Sequence, residues 1–78
     1  MIYHFDLETD WMLTVGLYSK HLEIELTHRP CKTFTTIWWP AAKTKIPYHC
    51  YACKEKLSEE LTNTAKGCVK ACRLAHSI

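Results

Sequence analysis

A chain of 78 residues, 47% hydrophobic and 23% charged, has room for one small domain. That length excludes an enzyme with a separate cofactor lobe, and the composition, with 2 Gly and 3 Pro, excludes disorder, collagen-like and low-complexity readings. The net charge of +2 is unevenly placed: residues 1–28 carry Asp6, Glu8, Asp10, Glu23 and Glu25 against Lys20, whereas residues 29–78 carry nine Lys/Arg against Glu55, Glu59 and Glu60.

The opening Met-Ile-Tyr-His-Phe-Asp has no basic region, apolar stretch or cleavage site, and the longest uncharged run is Thr33 to Ala42. A membrane span needs ~20 apolar residues, so the expectation is a soluble cytoplasmic protein with no membrane contact, in the host cell if the chain is viral. Structural disulfides are rare in such a compartment. Five cysteines, an odd number, therefore point to metal ligands, catalytic thiols or core residues.

Taken in chain order, the first half reads as strands. Tyr3, Phe5 and Leu7 alternate with His4, Asp6 and Glu8; Trp11, Leu13, Val15 and Leu17 continue the period of two, and Leu22, Ile24 and Leu26 repeat it. Ser19-Lys20 is placed to turn the second strand into the third, and His28-Arg29-Pro30 breaks the run. Lys32 to Trp39, rich in β-branched and aromatic residues, predicts a fourth strand. Residues 40–47, with Pro40 and Pro47 at the ends and Lys43 and Lys45 between, read as a connector. From Lys54 to about His76 the apolar residues fall four apart, but Thr62-Asn63-Thr64 and Gly67 are poor helix formers, so the pattern predicts two short helices or one interrupted near 62–64.

The strongest chemical signal is Cys50-Tyr-Ala-Cys53 followed by Cys68-Val-Lys-Ala-Cys72. A C-x2-C turn puts two thiolates on one side of a tight knuckle, and cysteines four apart on a helix share a face. The expected structural Zn2+ site is Cys50, Cys53, Cys68 and Cys72, with His76 as an alternative ligand and His49 as a competitor; Cys31, next to Pro30, reads as a free thiol. The arrangement over residues 48–76 resembles zinc fingers and knuckles in the broad sense, which implies metal binding. It departs from the best-known finger in its fourteen-residue spacer, its helical cysteines and the lack of Gly after Cys53. The competing expectation is geometric. In one unbroken helix from 54 to 76, Cys53 and Cys68 would stand roughly 22 Å apart, and Leu57, Leu61, Cys68 and Cys72 would form a buried apolar stripe.

Two catalytic readings are weaker. Cys50-Tyr-Ala-Cys53 as a redox pair requires a βαβ setting that the antiparallel strands do not supply. His4-Phe5-Asp6-Leu7-Glu8-Thr9 resembles the first motif of DEDD-type exonucleases, where an acidic pair holds two metal ions. That family needs further carboxylates from later helices, but the only Asp after Asp6 is Asp10 and no His-x4-Asp or Tyr-x3-Asp motif follows, so Asp6 and Glu8 read as the polar side of a strand and the chain as no enzyme.

The expected fold is therefore α+β, a single domain of residues 1–78. A small antiparallel sheet of three or four strands (1–39) and a connector (40–47) precede a zinc-stapled, zinc-finger-like helical part (48–78). Two functions fit. One is a small zinc-stabilised regulator or inhibitor that presents an aromatic sheet face, with Trp38 and Trp39, or a strand edge to a protein or nucleoprotein complex; by size alone it is similar to phage-type inhibitors of host machinery, anti-CRISPR proteins among them. The other is a zinc-finger-like protein binding nucleic acid directly, with Lys43, Lys45, Lys54, Lys56, Lys66, Lys70 and Arg73 on phosphates and Trp38, Trp39 or Tyr51 stacking on bases. Sheet edges of this size also allow a homodimer.

Overall fold

The computed structural model describes residues 1–18, 21–39 and 49–77, with residues 37–39 described by backbone alone. Four strands, β1 (Ile2–Glu8), β2 (Trp11–Tyr18), β3 (His21–His28) and β4 (Thr33–Trp39), form an antiparallel sheet in the order β1-β2-β3-β4, and one helix, α1 (Glu59–Ala75), follows. The α+β architecture and the four-strand meander are as the alternation predicts. Tyr18 pairs with His21; Ser19-Lys20 between them lies outside the described residues, as does the connector with Lys43 and Lys45.

The period of two sorts the sheet into faces. Trp11, Leu13 and Val15 on β2 and Leu22, Ile24 and Leu26 on β3 are buried on one face, joined by Leu57 and by Ala65, Val69 and Cys72 from α1. Val15 lies opposite Ile24 and Leu13 opposite Leu26, so cross-strand pairs of branched side chains make the centre of the core. On the other face Glu23 and Glu25 alternate outward, and burial followed by the neighbouring Glu23 pushes the Glu25 carboxyl up from its usual value. At the end of β1 the register shifts between Asp6 and Glu8, a bulge that carries the chain into the tight turn before Trp11. Asp6 forms an ion pair with Arg29, whose guanidinium also donates to the Thr9 carbonyl at 3.0 Å. The short β1–β2 turn is thereby tied to the end of β3.

The helix starts later than its apolar spacing suggests and does not break. The Ser58 hydroxyl accepts from the Leu61 amide at 3.1 Å, and Glu59 and Glu60 sit in the first turn, where acidic groups offset the helix dipole. The helix then runs unbroken through Thr62-Asn63-Thr64, correcting the interruption expected there. Two local facts account for it. Thr64 donates its hydroxyl to the Glu60 carbonyl at 3.0 Å, so the poor helix former is satisfied within the helix, and Ala65 and Val69 on either side of Gly67 are buried against the sheet. Propensity differences below ~1 kcal/mol per residue yield to such packing. At the far end the Tyr3 hydroxyl lies 2.9 Å from His76 Nε2, closing the helix terminus onto β1.

Between sheet and helix, residues 49–57 cover the part of the buried face nearest the β3–β4 turn. His49 and Lys56 form an antiparallel bridge, and within it the Cys50 amide donates to the Glu55 carbonyl and the Lys54 amide to the Cys50 carbonyl, both at 2.8 Å. This small loop meets the turn after β3. Among the described residues no helix is long and apolar enough to cross a membrane.

Candidate metal centre

Four side chains converge where the β3–β4 turn meets the 49–57 loop. The ligating atoms of His28, Cys31, Cys50 and Cys53 all lie within 4.8 Å of one another, close enough to hold a metal ion. His28 ends β3 on its buried face, 3% exposed, because it continues the inward series Leu22, Ile24, Leu26. Its ring stacks on that of its cross-strand partner Trp11, with centroids 4.3 Å apart and planes 26° from parallel. Glu55 Oε2 stands 2.8 Å from His28 Nε2, and Cys53 Sγ stands 3.6 Å from His28 Nδ1. The imidazole thus lies against an aromatic face with a carboxylate within ion-pair distance of Nε2, which makes no aligned hydrogen bond among the described residues, and with Nδ1 near Cys53.

Each thiol sits on a tight turn. Cys31 lies in the turn closed by the Lys32 amide donating to the Arg29 carbonyl at 3.0 Å. Cys50 is buried, with its Sγ 3.4 Å from the Thr33 hydroxyl at the start of β4. That hydroxyl, followed by the Cys53 and Ala52 amides and the His28 ring, holds the Cys50 thiol down at about 5, so the sulfur is a thiolate at neutral pH. Cys31 is pushed the other way, to about 11, first by its hydrogen bond to Cys53, then by burial and by Cys50. In a metal-free site Cys50 therefore carries the charge and Cys31 keeps its proton. Such crowding of thiols around a thiolate is relieved when a cation takes the protons' place.

Of the predicted ligands, the fold brings Cys50 and Cys53 together and leaves Cys68 and Cys72 out of the group. Both of the latter lie on the inward side of the unbroken α1, where burial raises their thiols; for Cys72, Cys68 adds to the effect. They form the apolar stripe that a continuous helix requires. His76 caps α1 and contacts Tyr3, with ring centroids 5.9 Å apart, and His49 is exposed in its bridge to Lys56. Cys31, read from the sequence as a free thiol, forms no disulfide and stands within the group. The overlooked signal is plain in the sequence: His28-Arg-Pro-Cys31 repeats the two-residue spacing of Cys50-Tyr-Ala-Cys53.

The proposed partner-binding residues are scattered. Tyr51 (54% exposed) and Lys54 are exposed at the metal end, Lys70 is exposed on α1, and Arg73 is half-buried in its last turn. The side chains of Trp38 and Trp39, like Lys43 and Lys45, lie outside the described residues. No family model, curated protein or solved structure matches this chain.

Proposed function

We propose that the chain is a small, non-enzymatic binding protein stapled by one structural zinc ion, held by His28 Nδ1 and the sulfurs of Cys31, Cys50 and Cys53. The observation that carries it is the convergence of one imidazole and three thiols from two turns some twenty residues apart in the chain. The donor set suits zinc, which takes thiolate and imidazole ligands in a tetrahedron. A tetrahedral ion with Zn–S ~2.3 Å and Zn–N ~2.0–2.1 Å separates a nitrogen and a sulfur ligand by about 3.5 Å, and Cys53 Sγ already lies 3.6 Å from Nδ1. Four protein donors leave no coordination position for a reacting water, which favours a structural role over catalysis. The ion would supply ~10–16 kcal/mol of apparent binding energy to a fold whose core alone yields only ~3–5 kcal/mol.

What a stapled domain of this size offers is a rigid surface, and the regulatory or inhibitory role we assign it is exerted through a macromolecular partner, a protein or nucleoprotein. Elemental analysis of the purified chain and two variants tests the metal reading. One zinc per chain is expected in the wild type and in Cys68→Ser, and its loss in Cys31→Ser. A folded wild type without zinc overturns the staple; loss in Cys68→Ser with retention in Cys31→Ser restores the C-terminal ligand pair.

A further inference from the structure

The three sulfurs of the cluster differ in what holds them and in what can reach them. Cys50 is buried, and its Sγ lies 3.4 Å from the Thr33 hydroxyl and accepts from the Ala52 and Cys53 amides. Its backbone is pinned as well, since its amide donates to the Glu55 carbonyl and its carbonyl accepts from the Lys54 amide. Cys53 is exposed, and apart from the other thiols its sulfur approaches only His28 Nδ1, at 3.6 Å, among the described residues. Cys31 is half-buried on the other turn, and its thiol interacts with Cys53 more strongly than with Cys50. All three sulfurs lie within 4.8 Å of one another. A disulfide places its sulfurs ~2.05 Å apart, so a closure of less than ~3 Å joins Cys31 to Cys53.

An oxidant arriving from solvent therefore meets Cys53 first, and the second sulfur must leave its own contacts to bond with it. Cys50 would give up the Thr33 hydroxyl and two amides, whereas Cys31 already leans on Cys53. Cys68 and Cys72 pack on the core from α1, outside the cluster. The two pairings also differ in what they tie. A Cys50–Cys53 bond closes only the turn on which both residues lie. A Cys31–Cys53 bond closes the long loop that contains β4 and joins the same two turns as the metal ligands. A cross-link over a longer loop restricts the unfolded chain more.

We propose that the centre exchanges one staple for another: on oxidation by a peroxide, Cys31 and Cys53 form a disulfide, the zinc ion leaves, and the two turns stay joined. The inference rests on the zinc reading, because the released ion is what the disulfide replaces. The Cys53 thiolate attacks one peroxide oxygen, the O–O bond breaks and the other oxygen leaves as hydroxide, which makes Cys53 a sulfenic acid. The Cys31 thiolate then attacks the Cys53 sulfur; the S–S bond forms, the S–O bond breaks and a second hydroxide leaves. Solvent protons convert both hydroxides to water, and two electrons have passed from the sulfurs to the peroxide. His28 and Cys50 remain as donors, too few for an ion that takes four.

The test is titration of the zinc-loaded full chain with hydrogen peroxide. Zinc release is read with a chromogenic chelator, free thiols are counted, and tryptic peptides are mapped without reduction on the same samples. One zinc and two thiols per chain should be lost together, and dithiothreitol with added zinc should restore both. Peptide 21–32, which holds Cys31, should be joined to peptide 46–54, and fragmentation should place the bond at Cys53. The oxidised, zinc-free chain should melt at a higher temperature than the reduced, chelator-stripped one, and Cys68→Ser should respond as the wild type does. A bond within peptide 46–54, or one to Cys50, Cys68 or Cys72, overturns the proposal. Zinc retained while the thiols are consumed overturns it too, as does an oxidised chain that melts no higher than the stripped one. The untreated sample separates the two readings: a chain without zinc sinks the metal staple, whereas a zinc-loaded chain that forms another bond sinks the exchange alone.

Discussion

Glu55 Oε2 lies 2.8 Å from His28 Nε2, on the side of the imidazole away from Cys53. The carboxylate comes from the 49–57 loop and the histidine from the end of β3, and a small turn of either group would align the hydrogen bond that Nε2 lacks among the described residues. In metal sites a carboxylate behind a histidine sets which nitrogen faces the ion and raises its basicity. Glu55→Gln should therefore weaken zinc binding by ~10–100-fold with the far-ultraviolet circular dichroism unchanged. The absorption bands of the cobalt-substituted protein should shift with it. Undiminished affinity in Glu55→Gln would falsify the positioning role.

The opposed shifts of Cys50 and Cys31 make a pH prediction for the chelator-stripped protein. Cys50 titrates at about 5 when folded against an ordinary thiol value of 9.0, so its contribution to stability is full above pH 9 and is lost as pH falls through 5. Cys31 is raised to about 11, so its contribution is full below pH 9 and is lost as pH rises through 11. Denaturation midpoints should rise between pH 5 and 9 and fall between 9 and 11. Thr33→Val removes the hydroxyl that contributes most to the Cys50 shift and should flatten the lower limb.

Gly67 lies inside α1, and a Cβ built on it meets nothing within 4 Å. Gly67→Ala should stabilise the protein by about 1 kcal/mol, through a smaller loss of backbone freedom on folding. In a domain of this size that is a rise in Tm of roughly 4–8 °C, readable by thermal circular dichroism. A fall in Tm would mean that the open space beside Gly67 serves a contact.

Leu13 is fully buried at the centre of the sheet, whereas Leu74 on α1 is 69% exposed. Leu13→Ala should cost ~2–5 kcal/mol, comparable with the whole net stability available to such a core. Leu74→Ala should stay within about 0.5 kcal/mol. Denaturant titrations with and without zinc check both, and Leu13→Ala should fold only in the metal-loaded form.

The strands were legible because burial on one face imposes a period of two, and Trp11-Leu13-Val15 and Leu22-Ile24-Leu26 keep it without error. The helix was legible in kind but not in extent. Its continuity through 62–64 depends on Ala65 and Val69 meeting the sheet, a contact that propensity does not contain. Its start was written in Ser58-Glu59-Glu60, whose capping chemistry is local, while the apolar spacing from Lys54 pointed five residues too early.

The metal site divides along the same line. Sequence alone determined that Cys50 and Cys53 share a turn, since two-residue spacing is a local constraint on the backbone. The alternation Leu22, Ile24, Leu26 extends to His28, but Arg29-Pro30 beside it reads as a break, so the inward placement of that imidazole was not drawn from the sequence. Only the tertiary structure decided which pair meets that turn. The antiparallel register stacks His28 on Trp11 and places Cys31 at the same end of the sheet, whereas an unbroken α1 commits Cys68 and Cys72 to the core. Ligand pairs separated by some twenty residues are chosen by where the sheet and helix pack, a balance of burial summed over the whole chain that no local spacing records.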